Sequence, residues 1–358
     1  MVATEKIRGR VAATSIVTGL LFAGLGLTAA QASTSARSAA TPKIVVTCGA
    51  TPVKGKSYNI ALISAVVSNP FYLTMRNGAQ LVAGQIEKKC GVKIHLTYQG
   101  SADFTTNSQM PVLSALLAKH IDALLVVPAD LQGVNGPLKQ FAAKGVPIIT
   151  LDTTSSAKEL LSSAITSDGY GGGMQGAKLI TAFAHGKGTV AVNSIAPGVT
   201  TTDARVAGFI AGMKKYAPNM KILHTEYNNF SIPKAQTQTQ AQLLSHPDLI
   251  GVFGANETAG EGAGAAVVAA GKKGKVDVVA FDADTPQVPL LQNGTISQLI
   301  IQRPGFEGQL GMLYVFDLLT GQKVLVKKNV TLANVVATTA NSKSPSVTKY
   351  YYTSKNTD

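Results

Sequence analysis

The sequence lacks the short motifs that mark common catalytic sites. No phosphate-binding loop, nucleophile elbow, zinc-protease motif or C-x-x-C pair occurs in its 358 residues. The five histidines are dispersed, without the spacing of metal ligands. We therefore predict no metal, no cofactor and no catalytic residues, and a hydrolase or dehydrogenase is the disfavoured alternative.

Tryptophan is absent and charged residues are scarce. Only 14% of the residues are charged and 45% are hydrophobic, with glycine, alanine and valine abundant. Low charge argues against disorder, except at the ends of the chain. This composition suits buried parallel strands covered by helices, and the length allows one large domain or two of ordinary size.

The formal net charge is +13, which raises the question of a polyanionic partner. The lysines occur singly or in pairs, as in Lys88–Lys89 and Lys214–Lys215, near predicted helix ends where they complement the helix dipole. No aromatic residues alternate with a basic run. We expect a solvated basic surface and no nucleic-acid partner.

The N-terminus has the features of a signal peptide. Lys6, Arg8 and Arg10 precede an apolar stretch over 11–29, and Ala30-Gln31-Ala32 is a small-residue cleavage site. The apolar stretch is interrupted by threonine and glycine, so a membrane anchor is the weaker interpretation. No cysteine follows it directly, which disfavours a lipid anchor. We predict a signal peptide over 1–32 and a mature protein in the periplasm or secreted to the cell envelope.

Only two cysteines are present, Cys48 and Cys90. In an exported protein such a pair predicts a disulfide. The alternative is that each is a small buried apolar residue.

Strand and helix patterns alternate along most of the chain. The first strand is predicted at 58–64, and the helix after it begins at Pro70, with Asn69 as its cap. One face of this helix carries apolar residues at spacings of three and four, namely Met75, Ala79, Val82 and Ile86. The alternation predicts a doubly wound α/β fold, and its length favours two lobes of about six strands each. Residues 33–57 are expected to be a linker, and 346–358 a frayed polar tail.

Polar side chains follow several predicted strands directly. Asp152 follows 146–151, Asn256 follows 249–253, and Asp282 follows 275–281. Ligands bind outside the carboxyl ends of strands in open α/β sheets, so these residues predict a shared small-molecule site. Taken singly, each could instead cap a helix.

A glycine-rich stretch could indicate a dinucleotide site. Gly171, Gly173 and Gly176 satisfy G-x-G-x-x-G, but no acidic residue lies between Asp168 and Asp203 to hold a ribose hydroxyl. We interpret the glycines as flexible packing near a hinge.

The remaining polar and aromatic residues suit a polyol, whose hydroxyl groups need directional partners and whose C–H faces can lie against aromatic rings. Phe71 and Tyr72 open the helix after the first strand, and Arg205 lies on the first turn of another. Alone, the two aromatic residues could be core residues and Arg205 a surface residue.

Together these residues resemble the ribose-binding type of periplasmic sugar-binding proteins. The matching motifs are Asn69-Pro70-Phe71-Tyr72, Leu151-Asp152, Arg205-x-x-Gly208-Phe209, Phe253-x-x-Asn256, Phe281-Asp282 and Ile301-Gln302-x-Pro304, with Phe230 at the position of a further aromatic residue. The resemblance implies ligand contacts by Asn69, Phe71, Tyr72, Asp152, Arg205, Phe230, Asn256, Asp282 and Gln302. Two positions depart from the ribose pattern: Thr153 replaces an arginine and Glu257 replaces an aspartate.

The resemblance also implies the domain organisation and the function. It places lobe 1 at 58–166 with 303–330 and lobe 2 at 167–302 with 331–345, joined by a hinge of three crossovers in a type I periplasmic-binding fold. A monomer would capture a sugar or related polyol between the lobes and deliver it to an ABC permease in the membrane. A sensor that presents its ligand to a membrane receptor is the alternative. DNA-binding relatives of this fold are disfavoured, because a signal peptide occupies the place of their N-terminal domain.

Overall fold

The computed structural model describes residues 43–49, 53–353 and 356–358. The predicted signal peptide lies outside the described residues. Among the residues described, no helix is both long and apolar enough to cross a bilayer. Two six-stranded sheets, each covered by helices on both faces, form two lobes, as the α/β alternation predicted.

The sheet of lobe 1 is entirely parallel and has the order β2-β1-β3-β4-β5-β11. Its strands are β1 (Ser57–Ser64), β2 (Lys93–Gly100), β3 (Ala123–Val126), β4 (Ile148–Leu151), β5 (Ser163–Ser167) and β11 (Asn329–Leu332). Its helices are α1 (Pro70–Cys90), α2 (Thr106–Leu117), α3 (Asn135–Ala143) and α9 (Pro304–Leu319). All four residues of β3 are buried, as expected for a strand covered on both faces.

The sheet of lobe 2 has the order β7-β6-β8-β9-β10-β12. Its strands are β6 (Thr189–Ser194), β7 (Lys221–Tyr227), β8 (Leu249–Gly254), β9 (Asp277–Phe281), β10 (Gln298–Ile301) and β12 (Val335–Thr338). Its helices are α4 (Gly169–Ala184), α5 (Thr200–Tyr216), α6 (Ile232–Ser245), α7 (Glu257–Ala269) and α8 (Gln287–Gln292). The edge strand β12 runs antiparallel to β10, whereas the other strand pairs of this sheet are parallel, as predicted.

The chain passes between the lobes three times. The crossovers follow β5, β10 and β11, since the next element of the chain then belongs to the other lobe. Thr331 and Leu332 pair with β5, so lobe 1 extends two residues beyond the predicted boundary at 330. The three-crossover arrangement confirms the predicted fold class.

Helix α1 shows how local sequence positions the site. Asn69 accepts a hydrogen bond from the Phe71 N–H at 2.8 Å, Pro70 is the first helical residue, and Gly91 ends the helix with a left-handed φ of 65°. The predicted apolar face is completely buried. A Cβ on Gly78 would lie 1.9 Å from the carbonyl oxygen of Gly305, so α1 and α9 pack too closely for any side chain at that point.

Both predicted flexible ends require correction. In the described part of 33–57, Val46 and Val53 are buried, and a Cys48–Cys90 disulfide with Cα atoms 5.3 Å apart joins this segment to the end of α1. In the tail, a short helix α10 (Pro345–Thr348) leads to Tyr351 and Tyr352, which are 6% and 0% exposed. Apolar surface on these segments, rather than their polar average composition, decides that they pack.

Candidate functional site

All nine predicted ligand residues line one cavity between the lobes. Five further residues complete the lining, namely Phe104, Ile195, Thr201, Thr202 and Glu257. The cavity lies at the carboxyl ends of β1, β4, β8, β9 and β10, as strand-end placement predicts.

Asp152 reaches the cavity through an unusual backbone conformation. It follows β4 with a φ of 57°, in the left-handed region that non-glycine residues seldom adopt. The Tyr72 hydroxyl donates to its Oδ2 over 3.4 Å, and its Oδ1 is buried without a protein partner. Burial raises the pKa of Asp152 to about 7, and the nearby Asp282 carboxylate adds to the rise while the Arg205 guanidinium opposes it. Its unsatisfied oxygen can accept a proton donor from a ligand.

Arg205 is the single cation among the described residues that line the cavity. It is 2% exposed, and its Nη1 donates to the Ala255 carbonyl at 2.8 Å and lies 3.8 Å from Oδ2 of Asp282. The guanidinium stacks 4.2 Å above the Phe281 ring, and its Nε has no protein partner. Arg205 is therefore held in place while one donor remains free for a ligand.

The glycine-rich start of α4 explains how Arg205 is placed. A Cβ on Gly173 would lie 2.0 Å from the Arg205 carbonyl oxygen, and one on Gly176 would lie 2.5 Å from the Phe253 ring. Gly173 thus allows α4 to pack closely against α5, and Gly176 allows it to pack closely against the sheet, so the interpretation as flexible packing was wrong.

Asp282 lies at the end of β9 with a φ of 78°, again in the left-handed region. Its Oδ1 accepts a 2.6 Å hydrogen bond from Nε2 of Gln302, and the Tyr352 hydroxyl donates to the same oxygen at 3.2 Å. The amide oxygen of Gln302 is buried without a protein partner. Asp282 and Gln302 thus form a fixed polar wall of the cavity, and the Gln302 amide oxygen remains available to accept a hydrogen bond from a ligand.

Asn69 and Asn256 cap the helices that begin at the cavity. Asn256 accepts from the Ala259 N–H at 3.3 Å, so this residue both caps α7 and lines the cavity. The side-chain amides of both asparagines donate to Glu257, at 2.8 Å from Asn69 and 3.1 Å from Asn256. Burial raises the pKa of Glu257 well above its ordinary value, and the Asp282 charge adds to this effect. The structure therefore adds Glu257, which the sequence marked only as a departure from the ribose pattern.

Aromatic rings form the apolar part of the cavity. Phe104, from the loop after β2, lies 5.5 Å from the Phe230 ring of lobe 2, with ring planes 34° apart. Phe71 meets the Tyr72 ring edge-on at 5.1 Å. Phe104 was not predicted from the sequence, because residues 101–103 separate it from the end of β2.

The comparisons with known proteins agree with this geometry. The chain is 30% identical over 269 residues to the D-ribose/D-allose-binding protein of Pseudomonas aeruginosa, covering 74% of this chain and 82% of that one. It is 28% identical to the ribose import binding protein of Bacillus subtilis, covering 75% and 84% of the two chains. These relatives are named as binding proteins, not as enzymes.

A solved structure shares both the fold and a substantial part of the sequence. An ABC transporter solute-binding protein from Agrobacterium vitis, bound with α-D-tagatopyranose, superposes with a TM-score of 0.78 and 36% identity. The match covers 83% of this chain and 99% of that one. Residues 60–323 also match the sequence model described as "Periplasmic binding protein domain". The chain belongs to this family of periplasmic binding proteins.

Proposed function

We propose that this protein is an extracytoplasmic solute-binding protein that captures a monosaccharide or related polyol between its lobes and delivers it to an ABC importer. The observation that carries the proposal is the lining of one cavity by acceptors, donors and aromatic rings from both lobes. Hydroxyl groups of a sugar would be recognised by Asp152, Arg205 and Asp282, and its C–H faces by Phe71 and Phe230.

The unsatisfied atoms support a ligand with many hydroxyl groups. Oδ1 of Asp152, Nε of Arg205 and Oε1 of Gln302 are buried without protein partners, and a buried polar group without a partner costs about 1–3 kcal/mol. A polyol supplies both donors and acceptors, so it can satisfy all three. An apolar ligand would leave them unpaired.

The site departs from the ribose pattern at Thr153, so the resemblance to that pattern does not identify the sugar. This residue is 2% exposed and its hydroxyl donates to the Pro128 carbonyl, so it does not replace the guanidinium that the pattern has there. Relatives named for ribose and allose and a neighbour with bound tagatose make pentoses, aldohexoses and ketohexoses the panel to test.

Transport also requires export and hinge motion. We propose that the signal peptide directs the protein to the periplasm or cell envelope, where it acts as a monomer. The lobes would rotate about the crossovers after β5, β10 and β11, and a ligand that contacts both lobes would favour the closed state by its differential affinity.

Isothermal titration calorimetry of the mature chain against the sugar panel tests the proposal. Saturable binding of one monosaccharide with one site per chain is expected, with no turnover of the sugar after prolonged incubation. Failure of every pentose, hexose and polyol to bind, or conversion of the sugar to a product, would contradict the proposed function.

A further inference from the structure

The C-terminal segment, described over 339–353 and 356–358, follows the last strand β12 and returns to the residues that line the cavity. The Tyr352 N–H donates to the Ala283 carbonyl at 3.0 Å, and the Thr285 hydroxyl lies 3.4 Å from the Tyr352 carbonyl oxygen. Near the end of the chain, the Asp358 carboxylate pairs with Arg303 at the second crossover. The segment is therefore bound to lobe 2 and to the hinge by directional contacts.

The Tyr352 side chain contacts the predicted ligand residues outside the cavity lining. It is completely buried, its hydroxyl donates to Oδ1 of Asp282 at 3.2 Å, and the same hydroxyl accepts from the Gln302 N–H at 3.0 Å. Its ring meets the Phe71 ring of lobe 1 edge-on, with centroids 5.3 Å apart. One tyrosine thus contacts ligand residues of both lobes without lining the cavity.

This contact bears on how Asp282 is oriented. The last torsion of an aspartate side chain is broad, so its partners decide where the two oxygens point. Donors from Tyr352 and Gln302 both converge on Oδ1, which leaves Oδ2 on the side of Arg205. The left-handed φ of 78° at Asp282 persists only where the surroundings determine it, and the Tyr352 hydrogen bond to the next carbonyl is one such constraint.

We propose that Tyr352 is a positioning residue for ligand binding, through which the C-terminal segment completes the site by holding the Asp282 carboxylate in its binding orientation. This proposal rests on the proposed function, since it concerns the same cavity. The match to the family's sequence model ends at residue 323, before this segment begins.

A double-mutant cycle separates positioning from a general structural role. Tyr352→Phe keeps the ring and removes only the hydroxyl, and Asp282→Asn removes the charge on which that hydroxyl acts. We expect Tyr352→Phe to weaken binding about tenfold in the parent background and by less than about twofold in the Asp282→Asn background. Calorimetry at high protein concentration with the sugar from the panel measures all four affinities.

The neighbouring tyrosine provides a matched control. The Tyr351 hydroxyl is also buried, but it donates to the Ser342 carbonyl within the same segment, so Tyr351→Phe should leave the affinity unchanged. Equal losses in both backgrounds, or no loss for Tyr352→Phe, would overturn the positioning role even though the parent binds sugar. A parent protein that binds no sugar would overturn the proposed function and this inference together.

Discussion

Asn69 donates from its side-chain amide to Oε1 of Glu257 over 2.8 Å, and this bond joins the first turn of α1 in lobe 1 to the first turn of α7 in lobe 2. Each partner is also engaged within its own lobe, because Asn69 caps α1 and Glu257 accepts from Asn256. The two lobes therefore have a direct polar contact at the cavity, in addition to the hinge.

The first prediction concerns this contact. Glu257→Ala removes the acceptor, so the closed form loses an interaction that an open form would not make. We expect small-angle scattering of the sugar-free variant to give a larger radius of gyration than the parent. Glu159→Ala, at an exposed position in lobe 1, should leave the radius unchanged. An unchanged radius for Glu257→Ala would show that the Asn69–Glu257 bond does not hold the lobes together.

The second prediction concerns the pH dependence of binding. The pKa of Asp152 is raised to about 7 by burial, so much of this carboxyl is protonated at pH 6 in the sugar-free protein. Sugar hydroxyls that donate to the carboxylate favour its charged form, and binding near pH 7 should then release a proton. Affinity should fall as the pH drops from 8 to 6, by at most about tenfold per pH unit.

Calorimetry in buffers of different ionisation enthalpy measures both the affinity and the protons released. The Asp152→Asn variant cannot titrate at this position, so its affinity should be weaker and should depend less on pH than that of the parent over the same range. Equal parent affinities at pH 6 and pH 8 would show that Asp152 does not act as a carboxylate acceptor.

The third prediction concerns stability. Asp277, in β9, is 3% exposed, and burial raises its pKa to about 6, above the ordinary value of 3.8. The folded state therefore holds a proton that the unfolded state has lost between these two values. The stabilisation that this proton gives to the folded state is fully present below pH 3.8 and is lost as the pH rises through 6.

Asp277→Asn removes this titration. At pH 8, the free energy of unfolding of the variant should exceed that of the parent by at most about 3 kcal/mol. At pH 4, the two free energies should be closer. Urea denaturation at the two pH values provides the measurement. A variant that is less stable than the parent at pH 8 would refute the account of Asp277.

The fourth prediction concerns the Cys48–Cys90 disulfide. It closes a loop with a sequence separation of 42, for which the chain-entropy model gives at most about 4 kcal/mol of stabilisation. Cys90 ends α1, whereas the cavity lies at the opposite end of this 21-residue helix, about 30 Å away. The double variant Cys48→Ala, Cys90→Ala should therefore melt at a lower temperature but bind sugar as tightly as the parent. Weakened sugar binding in a folded variant would contradict this separation.

The sequence was sufficient where a local rule links position to structure. Asn256 and Asp282 could be placed together because carboxyl ends of parallel strands share one edge of a sheet, and the same rule places Asp152 at the corresponding edge of the other lobe. The buried face of α1 followed from helical spacing, and its start from Asn69 and Pro70.

Other features depend on tertiary packing and could not be predicted in this way. Tyr352 meets Gln302 across 50 residues of sequence, and a polar tail gives no periodic signal for such a contact. Val46 packs although residues 33–57 as a whole are rich in small and polar residues. The strand β5 was not identified, because its sequence SAITS is short and only partly apolar.

The central claim is that Asp282 and Arg205 bind the sugar, and calorimetry on three alanine variants tests it most directly. Hydrogen bonds to charged groups contribute about 1.5–3 kcal/mol each, which corresponds to roughly a ten- to hundredfold change in affinity. Asp282→Ala and Arg205→Ala should each weaken binding at least about tenfold, with circular dichroism showing an intact fold. Asp203→Ala, on the same helix as Arg205 but exposed and bonded only to the Gly198 N–H, should bind like the parent. If Asp282→Ala and Arg205→Ala bind like the parent while Asp203→Ala does not, the assigned site is wrong.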